Sequence, residues 1–530
     1  MSKKNAVIKG TAILTVANLL SRIIGAIFKI PLANLIGQYG MGLFALSYTF
    51  YSFTLEISTT GFPIAVSKMV AESVARNDYP RTKIILRNSL LLLGTIGIAG
   101  SFLLWFYSRE LAVHLGNIYS SLGIKCAAPA IFFVSIVSVF RGYFQGFQNM
   151  YPTAISEVIE ALFKLLIGYL LASIFFVRGI EYSSAGAVLG VTIGTVFSFI
   201  VMIFIYILSI KRDRARIITT RKMYSSKSIF KELICIALPI TLGAVLSNIT
   251  NLVDLVTITR GLQKISGIDS IQASSLYGSY TGYAVPIFSF PLIIVYAIRM
   301  TMVPAIAGAL AQDDSDRARK IIAKAHKLLI IFSVSCSAGL IVLADSILNL
   351  FFVSNNSTML LQILSIAILP NAMIYLTSSA LQAYGKVNIP VINMLVGGII
   401  KVTINYFMIP RLGIVSAPIS TTICFVVISV LNFIHLIKIT SFKICLSEYL
   451  KPTISALLMS IATIISYRYS LTLFHSLGMK ISSLISLIIS AGISIIVYFI
   501  LLLMTKSISA EDIAALPYGN TILTVLHKII

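Results

Sequence analysis

Apolar runs long enough to cross a bilayer recur from one end of the chain to the other, separated by short polar turns. A hydrocarbon core of about 30 Å takes about 20 residues of helix. On that scale the runs predict fourteen membrane helices, near residues 10–34, 42–70, 88–107, 121–144, 153–177, 184–210, 233–259, 273–308, 326–349, 358–382, 389–409, 413–437, 451–473 and 481–505. Strands of an outer-membrane barrel would alternate polar and apolar positions, and these runs do not. The expected fold class is therefore an all-α polytopic membrane protein. The runs near 42–70 and 273–308 are long and carry Pro63, Pro286, Pro291 and Pro304, so bends are predicted there. The basic start MSKKNAVIKG lacks a small-residue cleavage site, and the first span is expected to be retained.

The pattern repeats. FQGFQNMYPTAISEVIEALFKLLIGYLL (144–171) parallels LQAYGKVNIPVINMLVGGIIKVTINYFM (381–408): Gln145 precedes Lys164 by 19 residues, as Gln382 precedes Lys401. Pro152 and Pro390 sit at nearly equivalent places, and TTGFPIAVSKMVAESVARND (59–78) echoes MTMVPAIAGALAQDD (300–314). The expected division is an N-terminal six-helix bundle (1–210), a basic linker (211–232), a second six-helix bundle (233–438), and two further helices with a tail (439–530). Six crossings return the chain to its starting side, so two such bundles share one membrane orientation and suit rocking about a central site.

Composition agrees with the pattern. Only 11% of residues are charged and mean hydropathy is +0.95, against about 25% charged in soluble domains. The net charge of +23 does not indicate nucleic acid, because the cations sit in short loops. Loops on the N-terminal side carry several times as many Lys and Arg as the opposite loops, which predicts both termini in the cytoplasm. The densest basic stretch, KRDRARIITTRKMYSSKSIFK (211–231), is either a linker lying on anionic lipid or a topology anchor alone. Cys126, Cys235, Cys336, Cys424 and Cys445 are scattered, with no C-x-x-C pair, so neither zinc nor a disulfide framework is indicated.

Charges inside apolar runs are the candidate chemistry, because each costs several kcal/mol by the lower estimates. Arg22 and Lys29 lie seven residues apart in the first span, on one helix face and roughly 10 Å apart along the axis. They can converge on one anionic group such as the phosphates of a lipid-linked substrate; snorkelling to an interface is the alternative, and suits Lys29 better than Arg22. Glu56 is a candidate partner for either. Glu157, Glu160 and Lys164 share a face of span five, where Glu160 and Lys164 have the spacing of a local ion pair; the acids are also candidates for proton relay. Lys401 has no local acid, so it must find a partner elsewhere or meet an anion. Lys68 and Arg299 lie toward cytoplasmic ends, where snorkelling accounts for them. Asp254 with Asn248 and Asn251 makes a hard-cation set, so sodium coupling, proton coupling and an interhelix hydrogen bond are all open there. Gly186, Gly190 and Gly194 are read as helix-contact positions. No G-x-x-x-x-G-K-[ST], G-x-S-x-G or H-E-x-x-H occurs, so nucleotide hydrolysis, enzymatic activity, a firm metal site and a cofactor are not expected.

SRIIGAIFKIPLANLIG, TGFPIAVSKMVAE, LYGSYTGYAVPIFSFPL and MVPAIAGAL resemble the multidrug/oligosaccharidyl-lipid/polysaccharide exporter superfamily. Within it they resemble the stage V sporulation protein B branch, which is related to the MurJ lipid II flippases. The resemblance covers essentially the whole chain. It implies a bacterial cytoplasmic-membrane flippase for an undecaprenyl-diphosphate-linked sugar, most naturally a peptidoglycan precursor, acting by alternating access, with membrane lipids and cell-wall synthesis enzymes as candidate partners and a monomer as the expected state. Sporulation is implied by the branch alone. Arg22 matches the arginine of the first-span S-R-x-x-G motif. A second cavity arginine of the flippases falls at Phe28, next to Lys29, and the span-eight arginine falls in SYTGY, which has none. Two other classes are weighed: a cation-coupled drug exporter of the same fold, which would want an acidic, aromatic cavity, and a non-transport scaffold for wall synthesis, which would not need buried charges.

Overall fold

The computed structural model describes residues 3–213, 226–353, 356–441 and 446–508. Most of the basic linker read from the sequence, residues 214–225, and the tail from 509 onward lie outside the described residues. The described chain is helical, without strands. Its elements are α1 (Lys3–Ala75), α2 (Tyr79–Phe106), α3 (Ser108–His114), α4 (Ser121–Gly146), α5 (Tyr151–Phe175), α6 (Ile180–Asp213), α7 (Ser226–Gln263) and α8 (Ser270–Gly278). They continue through a π-helical turn (Ser279–Ala284), α9 (Val285–Leu310), α10 (Ser315–Phe351), α11 (Thr358–Ile366), α12 (Ile368–Ala383), α13 (Asn388–Leu412), α14 (Ser416–Thr440), α15 (Leu446–Leu473) and α16 (Met479–Met504). A helix closes all its backbone hydrogen bonds within itself, which is what a solvent without donors or acceptors demands.

Among the described residues, eleven helical stretches are long and apolar enough to cross a membrane, against the fourteen expected. Two of them, Ala12–Ala75 and Asn388–Thr440, are long and interrupted. Gly37 breaks the first at φ 65° and ψ −171°, and a short 3-10 turn at Gly413–Val415 breaks the second. The bend foreseen near Pro286 takes the form of the π-helical turn just before it. Proline has no N–H for the carbonyl four residues back, so the regular ladder cannot run through that point.

Contacts divide the chain into two compact units, Met1–Ile293 with Pro390–Ser420, and Ile294–Ile389 with Thr421–Ile530. This cut differs from the division expected at residues 211–232. In the first unit α1 lies against α4, α5 and α7, while α5 lies against α6. Leu93, Val137, Phe140 and Met202 join α2, α4 and α6 in one apolar core. In the second unit α10 lies against α11, α12 and α15, and α15 against α16. The outward faces are apolar: Phe102, Phe106, Leu166, Ile488 and Ile495 are all exposed, as lipid-facing side chains should be. Buried hydroxyls turn back on their own helices, as when Ser135 donates to the Ile131 carbonyl at 2.8 Å and Thr377 to that of Met373 at 2.7 Å.

Both sequence echoes mark one kind of helix ending. After α1, Asn77 (φ 55°) is left-handed, and the amides of Asn77 and Asp78 donate to the carbonyls of Val74 and Ser73 at 3.0 and 2.8 Å. After α9, Asp313 (φ 57°) and Asp314 donate to Leu310 and Ala309 at 3.0 and 3.1 Å. Asp78 and Asp314 then cap the next helices by accepting from the amides of Arg81 and Arg317. The other echo does the same: Gln148 and Asn149 close α4 on Gln145 and Phe144, and Gly385 and Lys386 close α12 on Gln382 and Leu381.

Glycines fix the closest approaches. A Cβ on Gly42 would fall 2.0 Å from the Ser274 carbonyl oxygen, and one on Gly278 would fall 1.9 Å from that of Gln38, so α1 meets α8 backbone to backbone. Gly190 approaches Gly168, and Gly194 approaches the backbone of Glu160 and Lys164, which is the contact role read for Gly186, Gly190 and Gly194. Gly37 has open space around it but a backbone conformation almost confined to glycine. Gly37→Ala is expected to cost about 1–3 kcal/mol, while Gly25→Ala, helical and uncrowded, should be neutral or stabilising by up to about 1 kcal/mol. Thermal unfolding of the two variants in detergent checks the opposite signs.

Candidate functional site

One cluster of charged residues in the first unit lies where α1, α4, α5 and α6 meet. Gly190 and Gly194 bring α6 onto the back of α5, which leaves the polar face of α5 to α1 and α4. Arg141 on α4 reaches across it. Its Nε donates to Ser156 Oγ at 3.0 Å, and its Nη2 donates to Glu160 Oε2 at 2.9 Å and to Ser198 Oγ at 3.2 Å. Ser156 and Glu160 are four residues apart and so share a face. The other oxygen of Glu160 accepts from the Tyr51 hydroxyl at 3.4 Å. The Arg141 side chain is 12% exposed and that of Glu160 20%, so the pair is largely removed from solvent.

Lys164, one turn beyond Glu160, is thereby left to other company. Its Nζ donates to the Tyr48 hydroxyl at 2.7 Å and lies 4.2 Å from that ring's centroid. Tyr48 is held by a ladder of rings along α1: Phe28 meets Phe44 edge-on at 6.0 Å, Phe44 stacks on Tyr48 at 5.3 Å, and Tyr48 meets Tyr51 at 5.5 Å. Lys29 lies within electrostatic reach of both Tyr48 and Lys164. Among the described residues no carboxylate forms an ion pair with Lys29 or Lys164. Lys164 thus meets a phenol rather than a carboxylate inside a strongly apolar set of helices, with Lys29 in the same neighbourhood.

The other expected residues fall around this centre. Arg22 is exposed and within electrostatic reach of Glu157, whose Oε2 is buried with no hydrogen-bond partner among the described residues. Glu56 accepts from Thr60 at 3.3 Å and forms no ion pair with Lys29 among the described residues. Phe28, the site of the flippases' second arginine, is buried against Gly168 and serves the ring ladder. The local pair read from the Glu160–Lys164 spacing is not formed, because Arg141 takes the carboxylate. Lys68, near the C-terminal end of α1, is exposed beside Glu72 at 4.0 Å. In the second unit, Arg299 lies over the Tyr375 ring at 5.3 Å.

A second cluster joins α7 and α13. Lys401 forms an ion pair with Asp254 Oδ2. Asn405 Nδ2 donates to Asp254 Oδ1 at 3.3 Å and to Thr257 Oγ1 at 3.4 Å. Lys401 therefore meets an acid distant in sequence. The side chains of Asn248 and Asn251 lie outside the described residues.

Sequence reasoning missed Arg141, Tyr48 and Tyr51. Arg141 lies at the edge of a predicted span and resembled a loop cation. The signal available was Glu160 itself: an acid inside an apolar run needs a cation, and Arg141 is one.

Comparison with known proteins follows from this fold. A model described as polysaccharide biosynthesis protein matches residues 7–310, more than half of the chain. The chain belongs to this family. A second model, MatE, matches residues 274–407. The chain is 26% identical to stage V sporulation protein B of Bacillus subtilis over 97% of this chain and 98% of that one. It is 24% identical to lipid II flippase MurJ of the same organism over 87% and 88%. Its fold is similar to that of a solved lipid II flippase MurJ in an inward closed conformation, with TM-score 0.69 and 15% identity over 93% of this chain and 98% of that one. The chain is thus a multi-pass membrane protein of the MOP superfamily, in its stage V sporulation protein B and MurJ-like branch.

Removing one partner of a largely buried ion pair strands the other. Arg141→Ala is expected to lower stability by about 3–5 kcal/mol, and adding Glu160→Gln should restore part of it. A double-mutant cycle read by thermal unfolding measures the coupling.

Proposed function

We propose that this MOP-superfamily transporter is a flippase that carries an undecaprenyl-diphosphate-linked oligosaccharide, lipid II being the best fit, across the cytoplasmic membrane by alternating access. The observation that carries the reading is Lys164 held on the Tyr48 hydroxyl, with no carboxylate ion-paired to it or to Lys29 among the described residues and Glu160 already engaged by Arg141. Two neighbouring ammonium groups repel each other and are poorly solvated by apolar surroundings, and a diphosphate relieves both costs at once. Arg22, on the same arm of α1, extends the cationic face toward the headgroup, while the lipid tail stays in the bilayer. A relative carrying the name lipid II flippase supports the same substrate class.

In this reading the chain crosses the membrane fourteen times, as two related six-helix bundles and two added helices, with both termini cytoplasmic. The helix endings built twice at the echoed sequences and the one-sided Lys and Arg of the loops support it. Glu157 is the proposed proton-exchanging group, and the membrane potential, worth about 2.3 kcal/mol per charge per 100 mV, is a further source of drive. An exporter of organic cations would present acids to its cargo; Glu160 and Asp254 are instead engaged by Arg141 and Lys401, which weighs against that reading.

Lys29→Ala and Lys164→Ala are each expected to weaken binding of an undecaprenyl diphosphate lipid about tenfold or more, the worth of one charge-assisted contact, and to leave undecaprenol binding unchanged. Native mass spectrometry of the purified protein reads both; equal losses for the two lipids overturn the assignment. Arg22→Ala should insert normally yet fail to rescue a flippase-depleted cell, and full rescue would remove Arg22 from the site.

A further inference from the structure

Glu160 and Lys164 stand four residues apart on α5 with the acid nearer the N-terminus, the order in which such pairs close best along a helix. In apolar surroundings an acid and an ammonium one turn apart pair unless another group takes one of them. Three helices supply the groups that take the acid. Arg141 on α4 gives its Nε to Ser156 on α5, and its Nη2 to Glu160 and to Ser198 on α6. Both serines are fully buried. Tyr51 of α1, also buried, donates to the other Glu160 oxygen. One residue from Lys164 and one from Ser198, Phe163 stacks on Phe197 with ring centroids 3.8 Å apart, so α5 and α6 are in close contact at this level.

We propose that Arg141 is a positioning residue for the anion site: it holds Glu160 off Lys164, so that the Lys164 charge stays available to a phosphate-bearing ligand. The inference rests on the substrate reading above and names a further residue on which that site depends. Charge carries the argument. Arg141, Glu160 and Lys164 together leave one net positive charge. Without Arg141 the acid and the ammonium cancel, and their spacing along α5 brings them together. With Glu160 neutralised as well, the single positive charge returns. The phenol of Tyr48 accepts one hydrogen bond from Lys164 without neutralising it, whereas a carboxylate would do both. A guanidinium suits the task better than an ammonium, because its planar fork reaches the carboxylate and two serines at once.

The test uses the purified full chain and native mass spectrometry with undecaprenyl diphosphate, undecaprenol serving as the tail-only control. Arg141→Ala is expected to weaken diphosphate binding about tenfold or more, the worth of one charge-assisted contact, and to leave undecaprenol binding unchanged. The double variant Arg141→Ala, Glu160→Gln should bind the diphosphate within about twofold of the wild type. Arg141→Lys, which keeps a cation for Glu160, should lose less than Arg141→Ala. Undiminished diphosphate binding in Arg141→Ala overturns the proposal. So does a loss that Glu160→Gln does not repair, because Arg141 then contacts the ligand itself or only supports the fold. Should Arg141→Ala fail to fold, Arg141→Gln, which keeps an amide for the two serines, takes its place. A second measurement needs no lipid. A membrane-permeant carbodiimide joins a carboxylate to an amine in contact with it, and the α5 peptide then loses the mass of one water. That bridge between Glu160 and Lys164 is expected in the Arg141 variant and not in the wild type; a bridge in the wild type, or none in the variant, overturns the proposal. A wild type that binds the two lipids equally overturns the substrate reading alone, and the bridge pattern then decides the role of Arg141 by itself.

Discussion

Arg141 and Glu160 hold each other inside a set of helices that offers charge almost no other support. Neither tolerates that setting alone, since an isolated ion in an apolar medium costs several kcal/mol. Their bond decides the rest of the first cluster. By taking Glu160, Arg141 frees Lys164 from the acid one turn away and hands it to Tyr48. The serines at 156 and 198 accept from the same guanidinium, and the glycines of α6 bring it close against α5.

The two lysines that follow their glutamines by equal spacing illustrate how neighbours set a charge's role. Lys164 ends on a phenol, with a second ammonium within reach. Lys401 ends on a carboxylate. The first has no carboxylate ion-paired to it among the described residues; the second is balanced within the protein. Two lysines at matching places in echoed sequences thus have different electrical surroundings.

Much of the fold was legible in the sequence. Run length and polarity gave the helices, and the break between the first two spans falls at Gly37, inside the gap the pattern left. The small-residue stripe of α6 was read as contact, and α5 lies on it. The charged residues could be recognised but not wired. Spacing along one helix favours the Glu160–Lys164 pair, yet Arg141, 19 residues upstream on another helix, wins because its fork reaches two serines as well. Asp254 and Lys401 are 147 residues apart, and no local pattern couples them. Tyr48 and Tyr51 were hidden for the opposite reason: in an apolar run a tyrosine reads as one more ring, and only its hydroxyl's neighbour reveals its use.

The meeting of α1 with α8 is made of main chain on both sides, at Gly42 and Gly278. Side-chain interfaces interlock, so drawing them apart leaves unfilled sockets, and each vacant volume carries a penalty. Two smooth surfaces have no sockets to vacate. Such a seam is intolerant of substitution, because any added atom wedges it.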